Sequence, residues 1–486
     1  MTISKAKTFR NIIYTSLTKG ATVACQLVAS FVVARNLTPS DYGLVGFAFI
    51  IINFLSRFSD LGIGNAVICR SRIDENNLWT AFTLKIVLST AAFVVAFLIA
   101  PFAHHFLEHP ATTDVIRFLA LNFLVTTIGF LPQAVLTREM NYKALVAPGV
   151  IGAAVRSLLI VVLILHGWRY WAIIFADVGS NLVSGIVMLA MKWVPIRLHF
   201  DRPDAEEYLR FGVPLFGAGV MVFVIFNLDN FLVGAKMGSA KLGYYALAFT
   251  WASFICTLLS DTVGNVLIPT LSAIQNDVTA MRRWYLKTVD LVAFVAVVGN
   301  TALLANSHYF LAFLGKGSDK WAPAELALKI LCVYGILRAL TEPLGPCLMA
   351  RGRSKLMWHS NLLAGIVEVS LLLLVIRTGR IELVAVAVLF AYASQAIIYL
   401  PYLRQDLSVG LGEIGAQLWP VLPAIAAGLL ATSFLPDSFG GNLFTLAVRG
   451  LFTACVVAVT HGLLTRFRFF QEASGMISQN FVRVAG

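Results

Sequence analysis

Charge is what this sequence has least of. Asp, Glu, Lys and Arg together make up 13% of its 486 residues, where soluble domains carry roughly 25%. With 58% hydrophobic residues and a mean hydropathy of +0.81, that deficit excludes a soluble enzyme of this length, which needs far more polar surface. Cysteine patterning is missing too. The six cysteines (Cys25, Cys69, Cys256, Cys332, Cys347, Cys455) stand singly, with no CxxC and no Cys/His cluster. No disulfide framework, metal site or cofactor is indicated. The eight histidines are dispersed, and the one pair, His104-His105, reads as solvated loop surface. Long connections are absent as well: none exceeds about twenty residues, so there is no basic soluble surface for nucleic acid.

Long apolar runs are present in number. About fourteen stretches, from 11–34 to 443–464, meet the roughly 20 apolar residues a helix needs to cross a bilayer. The run after the basic segment Met1–Arg10 is too long for a signal-peptide core and lacks a small-residue cleavage site, so it reads as a first span. Basic residues collect in alternate connections, among them Arg70/Arg72, Arg138/Lys143, Lys192/Arg197/Arg202/Arg210 and Arg351/Arg353/Lys355. That bias, and an even span count, predict both termini in the cytoplasm and account for the net charge of +12.

The chain also repeats itself. Leu37-Thr-Pro-Ser-Asp-Tyr-Gly43 returns about 200 residues later as Met237-Gly-Ser-Ala-Lys-Leu-Gly243, and Gly64-Asn65-Ala66-Val67-Ile68 as Gly264-Asn265-Val266-Leu267-Ile268. Pro132 to Arg138 resembles Pro346 to Arg351, and Gly167-Trp168-Arg169 matches Gly379-Arg380 at an offset of about 212. The unit is six helices, and an even-numbered unit repeats in one topology, with a pseudo-twofold axis along the membrane normal. The expected fold is therefore an all-α polytopic membrane protein: an N-lobe over 1–200, a C-lobe over 201–405, and two extra helices with a tail over 406–486. The segment 191–210, with Arg202-Pro203-Asp204-Ala205-Glu206-Glu207, is read as the connection between lobes. Membrane proteins built from two similar halves usually carry something between them.

Several segments resemble one family. Ala34-Arg35-Asn36-Leu37, Ser59-Asp60-Leu61-Gly62-Ile63-Gly64-Asn65-Ala66, Leu228-Asp229-Asn230-Phe231-Leu232-Val233-Gly234 and Ile268 to Gln275 are similar to the polysaccharide transporter (Wzx) family. That family belongs to the multidrug/oligosaccharidyl-lipid/polysaccharide exporter superfamily. Lys320-Trp321-Ala322-Pro323, Leu337-Arg338-Ala339-Leu340 and Pro343 to Ala350 resemble its colanic-acid-exporter-like branch, and the similarity runs from about 8 to 405. It implies a bacterial inner-membrane flippase for undecaprenyl-diphosphate-linked oligosaccharide in exopolysaccharide or lipopolysaccharide biosynthesis. It also implies two six-helix lobes around a central cavity, and a polysaccharide polymerase and chain-length regulator as partners. Lipid II flippases of the same superfamily carry a second arginine in the first span, where this chain is apolar near Ala29.

An ionisable group inside a bilayer costs at least about 2.5–3.5 kcal/mol, so each needs a reason. The mid-span candidates are Lys19, Arg57, Asp60, Lys85, Arg156, Asp177, Asp229, Asp261, Arg338, Glu342 and Glu368. Arg156 and Glu368 are near mid-span at the 212 offset. They read either as a cavity pair, holding phosphate and closing a gate or binding a coupling cation, or as a structural interhelical bond. Arg338 precedes Glu342 by four residues, on one helix face; a local ion pair and a substrate contact are both open. Arg57 and Lys85 join Arg156, Arg338 and Glu368 as candidates for the substrate cavity. Lys85 is near a span end and is also able to snorkel. Asp60, Asp177, Asp229 and Glu342 are candidates for gating or for coupling to H+ or Na+, with capping or lobe packing the competing role for Asp60 and Asp229.

A flippase working by alternating access fits best. A multidrug or cation antiporter of the same superfamily predicts an acidic cavity instead. A membrane polymerase or ligase lacks both a large extracytoplasmic loop and an acid/base constellation here, and a scaffold leaves the buried charges unexplained.

Overall fold

A computed structural model describes residues 5–70, 74–195, 197–435 and 443–465. Side chains are described from residue 20 onward, apart from 260–263, 265, 266, 269, 354 and 411. Lys5, Lys7, Arg10, Lys19, Arg72, Asp261, Arg466, Arg468 and Arg483 thus lie outside the described side chains.

By contacts, the chain divides between Gly243 and Tyr244. The first unit holds α1 (Lys5–Asn36), α2 (Pro39–Asp60), α3 (Ile63–Cys69), α4 (Glu75–Ala103), α5 (Thr112–Val125), α6 (Phe130–Arg138), α7 (Tyr142–Leu165), α8 (Trp171–Met191) and α9 (Arg202–Met237). It also contains the first turn of α10 (Ser239–Ala273). The second unit continues with α11 (Val278–Ala305), α12 (Ser307–Leu314), α13 (Glu325–Thr341), α14 (Leu344–Ala350), α15 (Ser354–Val375), α16 (Ile381–Asp406), α17 (Leu411–Leu418), α18 (Val421–Ser433) and α19 (Leu443–Leu464). No strand occurs among the described residues, as expected where backbone groups must be satisfied within each segment.

All fourteen apolar stretches are helical. Among the described residues, eleven helices are long and apolar enough to span a membrane, and the bent pair α5/α6 makes a twelfth. The other two stretches are α1 and the fragment pair α13/α14, which is broken around Pro343. The segment 202–210 is helical rather than a loop: Pro203 sits in the first turn of α9, where its missing N–H costs nothing. Ala205 and Tyr208 there are buried against the α3–α4 region.

The repeat reappears as a pattern of contacts inside each unit. In the first, α4 packs on α5, α5 on α8 and α7 on α8; in the second, α11 packs on α13, α13 on α16 and α15 on α16. In both copies the fourth helix is interrupted. The break between α5 and α6 bends the chain by 49°. There Gly129 sits on Gly185 of α8, where an added Cβ would come within 3.3 Å of the Gly185 Cα. The second copy breaks at Glu342-Pro343, since proline lacks the N–H a helix interior requires.

One break has no counterpart. α2 ends at Leu61 (φ 41°) and Gly62 (φ 71°), two successive left-handed residues, whereas α10 is continuous to Ala273. Leucine reaches that region only at a cost. The turn is held from outside: Gly212 of α9 lies so close that a Cβ on it would overlap the Leu61 carbonyl oxygen. The Ser59-Asp60-Leu61-Gly62 motif is therefore a helix stop that α9 closes over.

Candidate functional site

The α2 stop points its last turn into a cavity of about 420 Å³ within the first unit. Its walls come from α2, α3, α4, α5, α8 and the N-terminal half of α9. Four candidate charges line it: Arg57, Asp60, Lys85 and Asp177. Arg156 reaches its edge through Asp177.

Lys85 is buried, at 6% exposure. Its Nζ donates to the Ser59 carbonyl (3.0 Å) and Oγ (3.3 Å), and lies 3.7 Å from the Asp60 carboxylate. The ammonium therefore does not snorkel to the interface. It turns inward because the α2 stop frees a carbonyl there and supplies a carboxylate, and the Phe130 ring covers it at 5.7 Å. Ser59 is fixed in turn by Ser89, 2.8 Å away.

On the opposite wall Arg156 of α7 pairs with Asp177 of α8 at 2.9 Å. Asn122 Nδ2 of α5 donates to the second Asp177 oxygen (2.8 Å), and Asn181 Nδ2 donates to Asn122 Oδ1 (3.0 Å). Three helices are tied by this chain. The carboxylate beside Arg156 comes from its own repeat, a pairing that no sequence offset reveals.

Arg57 differs from both. Its side chain is exposed, and it forms no ion pair within 4.0 Å among the described residues; its guanidinium stands 5.7 Å from the Phe223 ring. Three cations thus face two carboxylates. Two pairs neutralise each other, and Arg57 carries the surplus. Asn53, Asn65 and Ser56 add uncharged donors and acceptors around it, the mixture a hydroxyl-rich anionic ligand requires.

The remaining candidates lie elsewhere. Asp229 is buried at 2% and accepts from the Asn230 backbone N–H (2.7 Å) and side chain (3.1 Å), late in α9 and away from the cavity lining. Arg338, Glu342 and Glu368 belong to the second unit. Arg338 of α13 lies within electrostatic reach of Tyr334, Tyr392 and Glu342. Tyr392 of α16 is hydrogen-bonded to Tyr334, with rings 4.8 Å apart, and also feels Glu368 of α15. Glu368 is 4% exposed. The second unit therefore has its own charged centre, built around a tyrosine pair.

Sequence reading missed Arg449. It is 6% exposed in α19 and donates to the Thr432 and Leu435 carbonyls (both 3.2 Å) at the end of α18, with Tyr309 over its guanidinium at 4.1 Å. A signal was available: Thr445, Arg449 and Thr453 recur at four-residue steps and His461 follows two such steps on, the polar stripe of a helix buried on that side.

Comparisons with known proteins agree with this architecture. A family model described as polysaccharide biosynthesis protein matches residues 32–324. The lipopolysaccharide biosynthesis protein WzxC of Escherichia coli (strain K12) is 25% identical over 365 residues, covering 74% of this chain and 73% of the relative. The teichuronic acid biosynthesis protein TuaB of Bacillus subtilis (strain 168) is 25% identical over 356 residues, covering 72% and 73%. Among solved structures, the lipid II flippase MurJ in an inward closed conformation shares the fold. It has a TM-score of 0.74 at 12% identity, over 94% of this chain and 99% of that one. This all-α, polytopic inner-membrane chain belongs to the polysaccharide biosynthesis protein family.

Proposed function

We propose that this protein is a flippase that moves undecaprenyl-diphosphate-linked oligosaccharide repeat units across the inner membrane by alternating access. It acts as a transporter rather than a catalyst. The single observation that carries the assignment is the unmatched Arg57 in a cavity otherwise neutralised and lined with amides and hydroxyls. A diphosphate entering hydrocarbon loses its water, and each unpaired polar group costs several kcal/mol. A guanidinium offers bidentate, charge-assisted bonds in exchange. The neutralised pairs, Lys85–Asp60 and Arg156–Asp177, hold the walls and release or take up a coupling ion, H+ or Na+, as the cavity changes state. Arg338, Glu342 and Glu368 supply the C-lobe side of the route, and Asp229 packs α9.

In this reading the lobes follow the repeat, 1–200 and 201–405, with 406–486 appended, and both termini lie in the cytoplasm. A polysaccharide polymerase and chain-length regulator receive the product. Multidrug or cation antiport fits less well, because a cationic substrate meets a surplus of positive charge.

Arg57→Ala in a strain lacking its own flippase is the test. Polymer export is expected to fall at least about tenfold, a loss of roughly 1.4 kcal/mol in binding, with membrane abundance unchanged and partial recovery in Arg57→Lys. Full export by Arg57→Ala overturns the assignment.

A further inference from the structure

The first unit contains a second cavity, apolar and in that sense dry. It lies between α2, the end of α4 and the C-terminal half of α9, and holds about 420 Å³ of space with apolar walls. The one polar side chain on its lining, Asn227, turns its amide N–H back to the Phe223 carbonyl at 2.9 Å. A helix alternates faces every three to four residues, and α2 uses this to serve both cavities. Asn53, Arg57 and Asp60 face the charged one; Phe47, Ile51 and Phe54 face the dry one.

The two compartments adjoin along an aromatic seam between α2 and α9. Phe58 meets Phe216 at 4.7 Å, Phe54 meets Phe223 at 5.9 Å, and Phe47 meets Phe231 at 5.6 Å. Phe223 lines the dry cavity, and the Arg57 guanidinium of the charged cavity stands 5.7 Å from its ring. The surplus cation of one cavity thus stands beside a wall residue of the other.

We propose that the dry cavity seats the first isoprene units of a polyprenyl diphosphate while Arg57 holds the diphosphate. This rests on the flippase reading and adds to it a tail site. The spacing selects the occupant. In a polyprenyl diphosphate the hydrocarbon begins at the carbon bonded to the phosphate oxygen, so a phosphate at Arg57 brings carbon directly onto Phe223. A glycerophospholipid interposes two polar glycerol esters, against which these walls set only the remaining amide N–H of Asn227. Lipid tails gain no hydrophobic free energy on leaving a bilayer for protein, so the cavity acts through packing, and its effect on affinity is moderate. Its size lies in the range of roughly 300–1,000 Å³ typical of ligand pockets.

The test uses the purified full chain and three probes: methyl diphosphate, geranyl diphosphate and dioctanoyl phosphatidic acid. Wild type is expected to bind geranyl diphosphate about tenfold more tightly than methyl diphosphate, a difference of roughly 1.4 kcal/mol. Val224→Trp and Ile51→Trp, which fill the dry cavity from opposite walls, are expected to abolish that preference and leave methyl diphosphate binding intact. Equal wild-type binding of the two diphosphates overturns the tail site, as does a preference that survives both fillings. Phosphatidic acid competing as well as geranyl diphosphate overturns the occupant. If Arg57→Ala leaves methyl diphosphate binding unchanged, the headgroup site fails instead, and the geranyl preference still reports on the tail.

Discussion

Gly43 and Gly243, equivalent residues of the two repeat copies, meet back to back. The Gly243 nitrogen lies 2.8 Å from where a Gly43 Cβ would sit, and that Cβ would overlap the Ser239 carbonyl oxygen. Reciprocally, a Cβ on Gly243 would overlap the carbonyl oxygen of Pro39, the counterpart of Ser239. Residue i meets j and j meets i, which is the signature of a twofold contact. Beside it, Ser40 Oγ and Ser239 Oγ are 2.6 Å apart.

Valine at Gly43 or Gly243 is therefore expected to destabilise this arrangement by about 1–3 kcal/mol, the usual range for overpacking. The pair Ser40→Cys/Ser239→Cys should cross-link readily under mild oxidation, and more slowly when Gly243→Val is added. If transport requires the contact to part, the cross-linked protein stops exporting polymer and reduction restores it. Unimpaired export by the cross-linked protein shows that the contact stays closed throughout the cycle.

The Arg156–Asp177 pair gives a charge-balance experiment. Both side chains are partly screened, at 35% and 15% exposure. Removing one partner is thus expected to cost less than the roughly 3–5 kcal/mol of a fully buried pair, about 1–3 kcal/mol. Thermal unfolding in detergent should show Arg156→Met and Asp177→Asn each destabilised and the double variant less so than their sum. Simple additivity would falsify a direct pairing.

His109 supplies a pH dependence. It sits in the connection after α4, with Nε2 4.0 Å from Asp41, while Arg169 donates to both Asp41 oxygens (3.1 and 2.8 Å). Burial lowers the His109 pKa below its usual 6.5; Arg169 and His104 act the same way, and Asp41 opposes them. The unfolded chain then binds a proton that the folded chain refuses. Stability is full above about pH 6.5 and is lost as the pH falls toward the lower folded value. His109→Gln should flatten that part of a stability–pH curve. An unchanged curve sinks the assignment.

Arg449 is expected to be structural. Arg449→Leu takes the side-chain donor from the half-buried Leu435 carbonyl and one of the donors from the Thr432 carbonyl, which keeps the Leu435 N–H at 3.2 Å, at about 1–3 kcal/mol in total. The variant should unfold earlier, while the export rate per folded molecule stays near wild type. Lost export with normal thermal stability would move Arg449 to the transport route.

The positions of the helices were legible in the sequence because hydrocarbon enforces a local rule: each span must be apolar along its own length. The six-helix repeat was legible for a related reason, since Gly43/Gly243 and Arg169/Arg380 recur in the same order along the chain, at offsets of about 200 and 212. Breaks within spans were harder to read. Leu61 adopts a left-handed conformation against Gly212, about 150 residues later, which leaves room for its carbonyl.

Sequence alone therefore determined an all-helical membrane protein of repeated design, and named the charges that need a reason to be in a bilayer. Only the tertiary structure decided what each reason is. It turned Lys85 inward to Ser59 and Asp60, gave Arg156 to Asp177, and left Arg57 facing an open cavity beside Phe223. Burying an apolar span depends on composition, which the chain carries locally. Neutralising a charge depends on distance to a partner, which exists only once the helices have packed.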